Sequence, residues 1–267
     1  MNSSAAPAVR PWRALSRRKL RRGLVLPALV VSTWWLATHF HLVNEHVLVA
    51  PAKVWSEGRR FVASGRLWSN LGASLGRDLI GLCIGALAGF AVGSALGLSR
   101  LFDRLVGPSL HAVKQVAIFA WIPLISVWFG FGEPAKLVFV ALAAFYPVVL
   151  NTCQGVRGVA AEHVEVARVL RFSRWQLFRR VILPSATPSI FAGLHLALIY
   201  SWLATIGAEY FLLAGPGIGH LMIDGREQFR MDLVLLGVGL AGAVGFVLNS
   251  AAGRLESYFV RWRRASV

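Results

Sequence analysis

The chain alternates long apolar runs with shorter polar stretches, and the runs are too long and too even for strands. Six of them, 24–43, 79–98, 112–131, 135–153, 190–214 and 233–252, approach the roughly 20 residues that a helix needs to cross about 30 Å of hydrocarbon. None alternates at a period of two, as a membrane barrel strand would. The pattern predicts an all-α, polytopic membrane protein with about six transmembrane helices. The third run is the weakest of these, because Lys114 and Gln115 stand at its start and Pro123 interrupts it.

The second run carries Gly81, Gly85, Gly89, Gly93 and Gly97 at a strict spacing of four. Four residues is just over one helical turn, so the glycines form a bare stripe along one face. Small residues let helices in lipid approach closely. The stripe can serve a contact with a second copy or tight packing within one subunit, and the second use is the commoner. Another group, Gly237, Gly239, Gly242 and Gly245, lies in the last run.

Between the fourth and fifth runs lies a polar segment, 154–189, that reads as two short helices and a turn. The first covers about 158–170, with Ala160, Val164 and Ala167 on one face, Glu162 and Glu165 early and Arg168 and Arg171 at its end. That charge order suits the helix dipole. Ser173 followed by Gln176 fits a capping box that opens the second, with Trp175 and Phe178 on one side. Pro184 and Pro188 are expected to end it before the fifth run. Such a pair can dock into a cleft of a soluble partner and move the spans joined to it, or it can lie on lipid.

Composition agrees with a membrane class. The 267 residues are 56% hydrophobic and 15% charged, with a net charge of +16. The basic residues cluster beside apolar runs, which favours cytoplasmic flanks and anionic lipid over nucleic acid. They concentrate in 1–23, 154–189 and 254–267, so both termini and the 154–189 segment are expected in the cytoplasm, flanking a membrane domain at 24–253. Segment 44–78 on the opposite side is also basic. Its Trp55, Phe61, Val62 and Trp68 suggest one amphipathic helix on the outer surface.

Candidate chemistry is sparse. Cys83 and Cys153 sit in apolar runs without metal spacing and read as packing residues. His39, His41 and His46 read as interfacial, so no metal site is expected. Glu209 stands out as a carboxylate well inside an apolar run. It can mark a gate or pathway, or pair at the interface with an arginine such as Arg226. Ser201 and Thr205, one turn apart on the same run, can line a pathway or bond their own helix backbone. A nucleophile–base set for an embedded enzyme is missing from the runs, and no inverted repeat supports an ATP-independent carrier.

The 154–189 segment resembles the cytoplasmic coupling loop of bacterial ABC importer permeases, whose pattern is Glu-Ala-Ala, three residues, Gly, nine residues, Ile-x-Leu-Pro. Glu165, Ala167, Leu183 and Pro184 match in register, with Val181 at the Ile position, Val166 at the first Ala and Arg171 at the Gly. That Gly permits a turn, and an Arg in a left-handed conformation there costs about 1 kcal/mol. The stretches 49–55, 122–130, 215–219 and 224–229 are similar to the aliphatic sulfonate, taurine and nitrate branch of that family. The resemblance implies a type I importer permease of the bacterial inner membrane. It implies ATPase coupling through Glu165, Ala167, Arg171, Ser173, Leu183 and Pro184. Separate ATP-binding subunits would hold ATP and Mg, a periplasmic solute-binding protein would deliver solute, and a second permease copy would complete the pore. No cofactor is expected in this chain, which lacks any phosphate-binding Gly-x-x-x-x-Gly-Lys.

Overall fold

The computed structural model describes residues 17–44, 48–212 and 215–259. His46 and the tail beyond 259 lie outside them. The chain divides into two units, 1–56 and 57–267.

In the first unit, α1 (Arg17–His39) precedes a turn at His41, and the Trp34 indole N–H donates to the Val49 carbonyl at 3.0 Å. Helix α1 is 23 residues long, enough to span about 30 Å of hydrocarbon. The helix covers the first apolar run as far as His39, four residues before the run's expected end.

Segment 44–78 is not the single interfacial helix expected from its pattern. Helix α2 (Pro51–Ala63) ends before Gly65, whose left-handed φ of 74° breaks the helix, and α3 begins at Arg66. Val62 and Trp68 are exposed, but Phe61 packs inward on Leu221 and Leu233.

Helix α3 (Arg66–Leu98) has 33 residues. At 1.5 Å per residue it is about 50 Å long, so it starts well before the hydropathy run at 79. Its glycine stripe lies on α6 (Glu133–Arg157). Gly81 faces Val140, Gly85 faces Ala141 and Ala144, Gly89 faces Val148, Gly93 faces Thr152 and Gly97 faces Val156. Residue numbers rise together on both helices, so the two run parallel. The side of each glycine is filled by backbone or a β-carbon of α6, which places the stripe inside one subunit.

Parallel neighbours need a return crossing. Helices α4 (Arg100–Val113) and α5 (Ile122–Phe129), joined through a 3₁₀ turn at Ile118–Trp121, supply it with a 95° bend. The third run is thus a broken crossing and not one helix. Arg157 ties its start, pairing with Asp103 at 2.6 Å and donating to the Leu96 carbonyl.

Helices α7 (Ala161–Val169) and α8 (Arg174–Leu177) follow α6. Next comes α9 (Leu183–Phe211), antiparallel to α6 with Gly155 on Ala186 and Gly193 on Asn151. Pro184 and Pro188 do not end the element. A π-turn over Phe178–Ile182 re-registers the ladder, with the Leu183 N–H donating to Phe178 five residues back, so the helix runs unbroken from Arg174 to Phe211. Short α10 (Ile218–Glu227) leads to α11 (Met231–Phe259), which is tied to α9 by Trp202 bonded to the Ala241 carbonyl and by His195 between Asn249 and Glu256. Among the described residues the fold is all-α, with four helices long and apolar enough to span a membrane and the broken pair as a fifth crossing.

Candidate functional site

Three sites lie along the bundle. At the end reached by Leu98 and Arg157 stands the α7–α8 pair. Helix α7 closes with Arg171 at φ 53°, and its N–H bonds the Arg168 carbonyl while that of Phe172 bonds Ala167. This is a Schellman ending, in which a left-handed residue satisfies the last carbonyls. Arg171 therefore takes the conformation that the family's glycine allows. Arg171→Gly is expected to stabilise this helix end by about 1 kcal/mol, read as slower amide hydrogen exchange at 170–172. The capping box is formed: the Gln176 N–H donates to Ser173 Oγ at 3.2 Å and the Ser173 N–H to Gln176 Oε1 at 2.8 Å.

Below the pair, Ile182, Ala186 and Val156 make a buried cluster that holds Phe178 and Leu183, and Ala167 is buried on α7. The opposite side is different. Val166, Val169, Leu170 and Trp175 are all exposed, Val169 to 83%. Glu165, Arg171 and Ser173 are exposed beside them, and Pro184 lies at the start of α9. Of the candidate coupling residues, Glu165, Arg171, Ser173 and Pro184 are exposed, whereas Ala167 is buried and Leu183 packs on the cluster below.

At the other end, Glu209 is fully buried, and its partner is Arg77, not Arg226. Arg77 Nη1 lies 2.6 Å from Glu209 Oε1, while its Nε and Nη2 take Glu133 at 2.6 and 2.7 Å. Glu209 Oε2 accepts from Ser74 Oγ and from the Gly219 N–H, each at 2.9 Å, and Ser74 Oγ in turn accepts from the Ile218 N–H. Asn70 Oδ1 accepts from Gly217 N–H at 2.8 Å. Side chains of α3 and α9 thus cap the free N–H groups at the start of α10. A β-carbon at Gly217 would fall inside the Glu209 carboxylate, so glycine is required there. Arg226 instead reaches Tyr210 Oη at 3.3 Å.

Arg77, Asp78 and Lys136, which hydropathy places at span edges, are all buried. Glu209 is therefore not alone, since the bundle also encloses Asp78. Thr205 Oγ1 reaches Asp78 Oδ1 at 3.4 Å, and Ser201 bonds the Leu198 carbonyl at 3.1 Å. Both hydroxyls are fully buried, and neither lines the cavity beside the broken crossing.

That cavity, about 570 Å³, opens between the bend of the broken crossing, α6 and α9. Lys114, which the sequence places at the membrane edge, lines it, with Phe119, Trp121, Tyr146, Asn151 and Tyr200. Tyr146 and Asn151 gave no signal beforehand, since single polar residues in apolar runs are common. No group of His, Cys, Asp and Glu fit for a metal occurs among the described residues.

Comparison with known proteins now fits this geometry. SsuC of Bacillus subtilis, named as an aliphatic sulfonates transport permease, is 34% identical over 97% of this chain and 94% of its own length. The bicarbonate transport system permease protein CmpB of Synechococcus elongatus is 35% identical over 74% of this chain and 70% of its own. A chain of the MetNI methionine ABC transporter in inward-facing form shares the fold, with a TM-score of 0.61 at 16% identity, covering 71% of this chain and 94% of that one. Residues 81–264 match the model of a family described as the binding-protein-dependent transport system inner membrane component. The chain belongs to that family, and is a multi-pass transport permease of the ABC importer fold, not an enzyme.

Proposed function

We propose that this chain is the transmembrane subunit of an ATP-driven importer. Two ATP-binding subunits, which carry ATP and Mg, dock on the α7–α8 surface. A periplasmic binding protein delivers solute to the end closed by Glu209. A second copy of the chain completes the pore in the inner membrane, with both termini and α7–α8 in the cytoplasm and lipid around the outward apolar faces. The solute is a small anion of the sulfonate, taurine or nitrate kind.

The observation that carries this reading is the exposed set Val166, Val169, Leu170 and Trp175, held on a capped, closed pair of helices. Four large apolar side chains left exposed on so short a pair of helices suit burial in a protein cleft. ATP binding would draw the two docked subunits together, carry α7–α8 with them, and switch the access of the pore from one side to the other.

The test is purification of the full chain from its native membrane in mild detergent, with mass spectrometry of co-purifying proteins. An ATPase near one-to-one is expected, and Glu165→Lys should lower its recovery at least tenfold while the chain itself folds, because Glu165 is exposed. A chain recovered without an ATPase, in a detergent that keeps other transporters whole, sinks the reading in favour of an ATP-independent carrier.

A further inference from the structure

Two buried acids lie one helical turn apart between α3 and α9, and the bundle treats them differently. Ser74 of α3 meets Glu209 of α9, and one turn further along both helices Asp78 meets Thr205. All four are 0% exposed. Glu209 is surrounded as a carboxylate should be. It takes Arg77 Nη1 at 2.6 Å, and Ser74 Oγ and the Gly219 N–H at 2.9 Å each. Asp78 receives one hydroxyl, Thr205 Oγ1, at a long 3.4 Å. Its Oδ2 has no hydrogen-bond partner among the described residues. Ser201, one turn along α9 from Thr205, gives its own proton to the Leu198 carbonyl. An ionised carboxyl can accept at about four lone-pair sites, so this is a poor home for one.

The charges nearby point the same way. The ionisable groups packed around this layer are Arg77 on the same helix, Glu133 and Lys136 on α6, and Glu209 on α9, while His220 on α10 faces Asp224. Arg77 directs Nε and Nη2 at Glu133 and Nη1 at Glu209, and Lys136 Nζ lies 3.6 Å from Glu133. Two cations there meet two carboxylates, so the set is neutral before Asp78 is counted. An ionised Asp78 would add one buried negative charge in excess, and a buried charge without a partner neutralises instead. The other aspartates of the chain all stand against a basic side chain: Asp103 against Arg157, Asp224 against His220 and Asp232 against Arg230. A proton needs no coordination shell, which suits a carboxyl with a single hydroxyl beside it.

We propose that Asp78 is a proton-binding site, filled in this packing, that ties the closure of α3 on α9 to pH. Parting the two helices lets water reach the carboxyl, which then ionises. Protons therefore favour the closed arrangement. The test needs neither solute nor ATPase.

The full chain is purified in detergent with carbon-13 in its aspartate carboxyl groups. At pH 6 a solvated aspartate, with its ordinary pKa of ~3.9, is almost wholly ionised. Infrared spectra at that pH should show a protonated carboxyl band that the label shifts and that Asp78→Asn removes. Thermal unfolding is the second readout. Asp78→Asn imitates the neutral acid, so it should melt close to wild type near pH 4 and increasingly above it as pH rises. The sign follows because the folded wild type keeps a proton that the unfolded chain releases. The gap should widen by about 3 °C per pH unit until the folded protein also lets the proton go. Should Asp78→Asn not fold, the label in the wild type decides alone. The absence of a label-shifted acid band at pH 6 overturns the proposal. So does a melting gap that stays flat, reverses, or follows sodium concentration instead of pH.

Discussion

Arg77→Ala should cost the folded protein about 3–5 kcal/mol, the range for breaking a buried ion pair from one side. The reason lies in what is left behind. Glu209 is 0% exposed and Arg77 7%, so the carboxylate would stay enclosed without the guanidinium that faces it. The loss would spread, because Glu209 also holds Gly219 and, through Ser74, Ile218. Glu209→Gln should cost less. Arg77 then keeps its two-pronged contact with Glu133, which is half exposed and easily hydrated. Thermal unfolding in detergent should therefore rank wild type, Glu209→Gln and Arg77→Ala in falling order. Arg77→Ala/Glu209→Ala should lie above Arg77→Ala alone, since it removes the stranded charge. Equal melting temperatures for all four would show that the cluster is solvated and the pairing immaterial.

Gly85→Ala should be nearly as damaging, although it adds one methyl group to a helix. The new carbon would overlap the Ala141 carbonyl and stand 2.8 Å from the Ala144 β-carbon. Backbone cannot turn aside, so α3 and α6 must separate along the whole stripe. A cost of about 3 kcal/mol is expected, at the upper end for overpacking. Gly72 and Gly76 lie on the same helix, where an added methyl would meet nothing within 4 Å. Gly76→Ala should instead stabilise by about 0.8–1 kcal/mol through helix propensity alone. Opposite signs at two glycines nine residues apart, read by thermal unfolding, would separate contact from propensity.

The sequence made the local features of this molecule readable and hid the distant ones. Ser173 and Gln176 declare a cap because both partners lie within one turn. At Arg171 only the resemblance points to a turn, and the Arg itself argues against one, yet the backbone there is left-handed at φ 53°. The glycine stripe announces a close contact by spacing alone, but not which helix it meets. Arg77 pairs with a residue 132 positions away, and hydropathy averaging assigns it to a polar flank although α3 begins eleven residues before it. The same averaging merges Lys114 with a span, when its charge is what marks the break. Pro184 and Pro188 mislead in the other direction. A π-turn absorbs the missing donor, and no propensity scale anticipates that.

The unbroken helix from Arg174 to Phe211 makes one rod of about 57 Å. Trp175 stands in its first turn and Glu209 in its last. Two surfaces at opposite ends of the protein are thus parts of one rigid object. By thermodynamic linkage, a partner that prefers one tilt of the rod at its first turn shifts the balance at its last by the same free energy, and the debt runs equally the other way. A small molecule wedged beside Glu209 would then change the affinity of the distant surface around Trp175, with no chain of side-chain rearrangements between them.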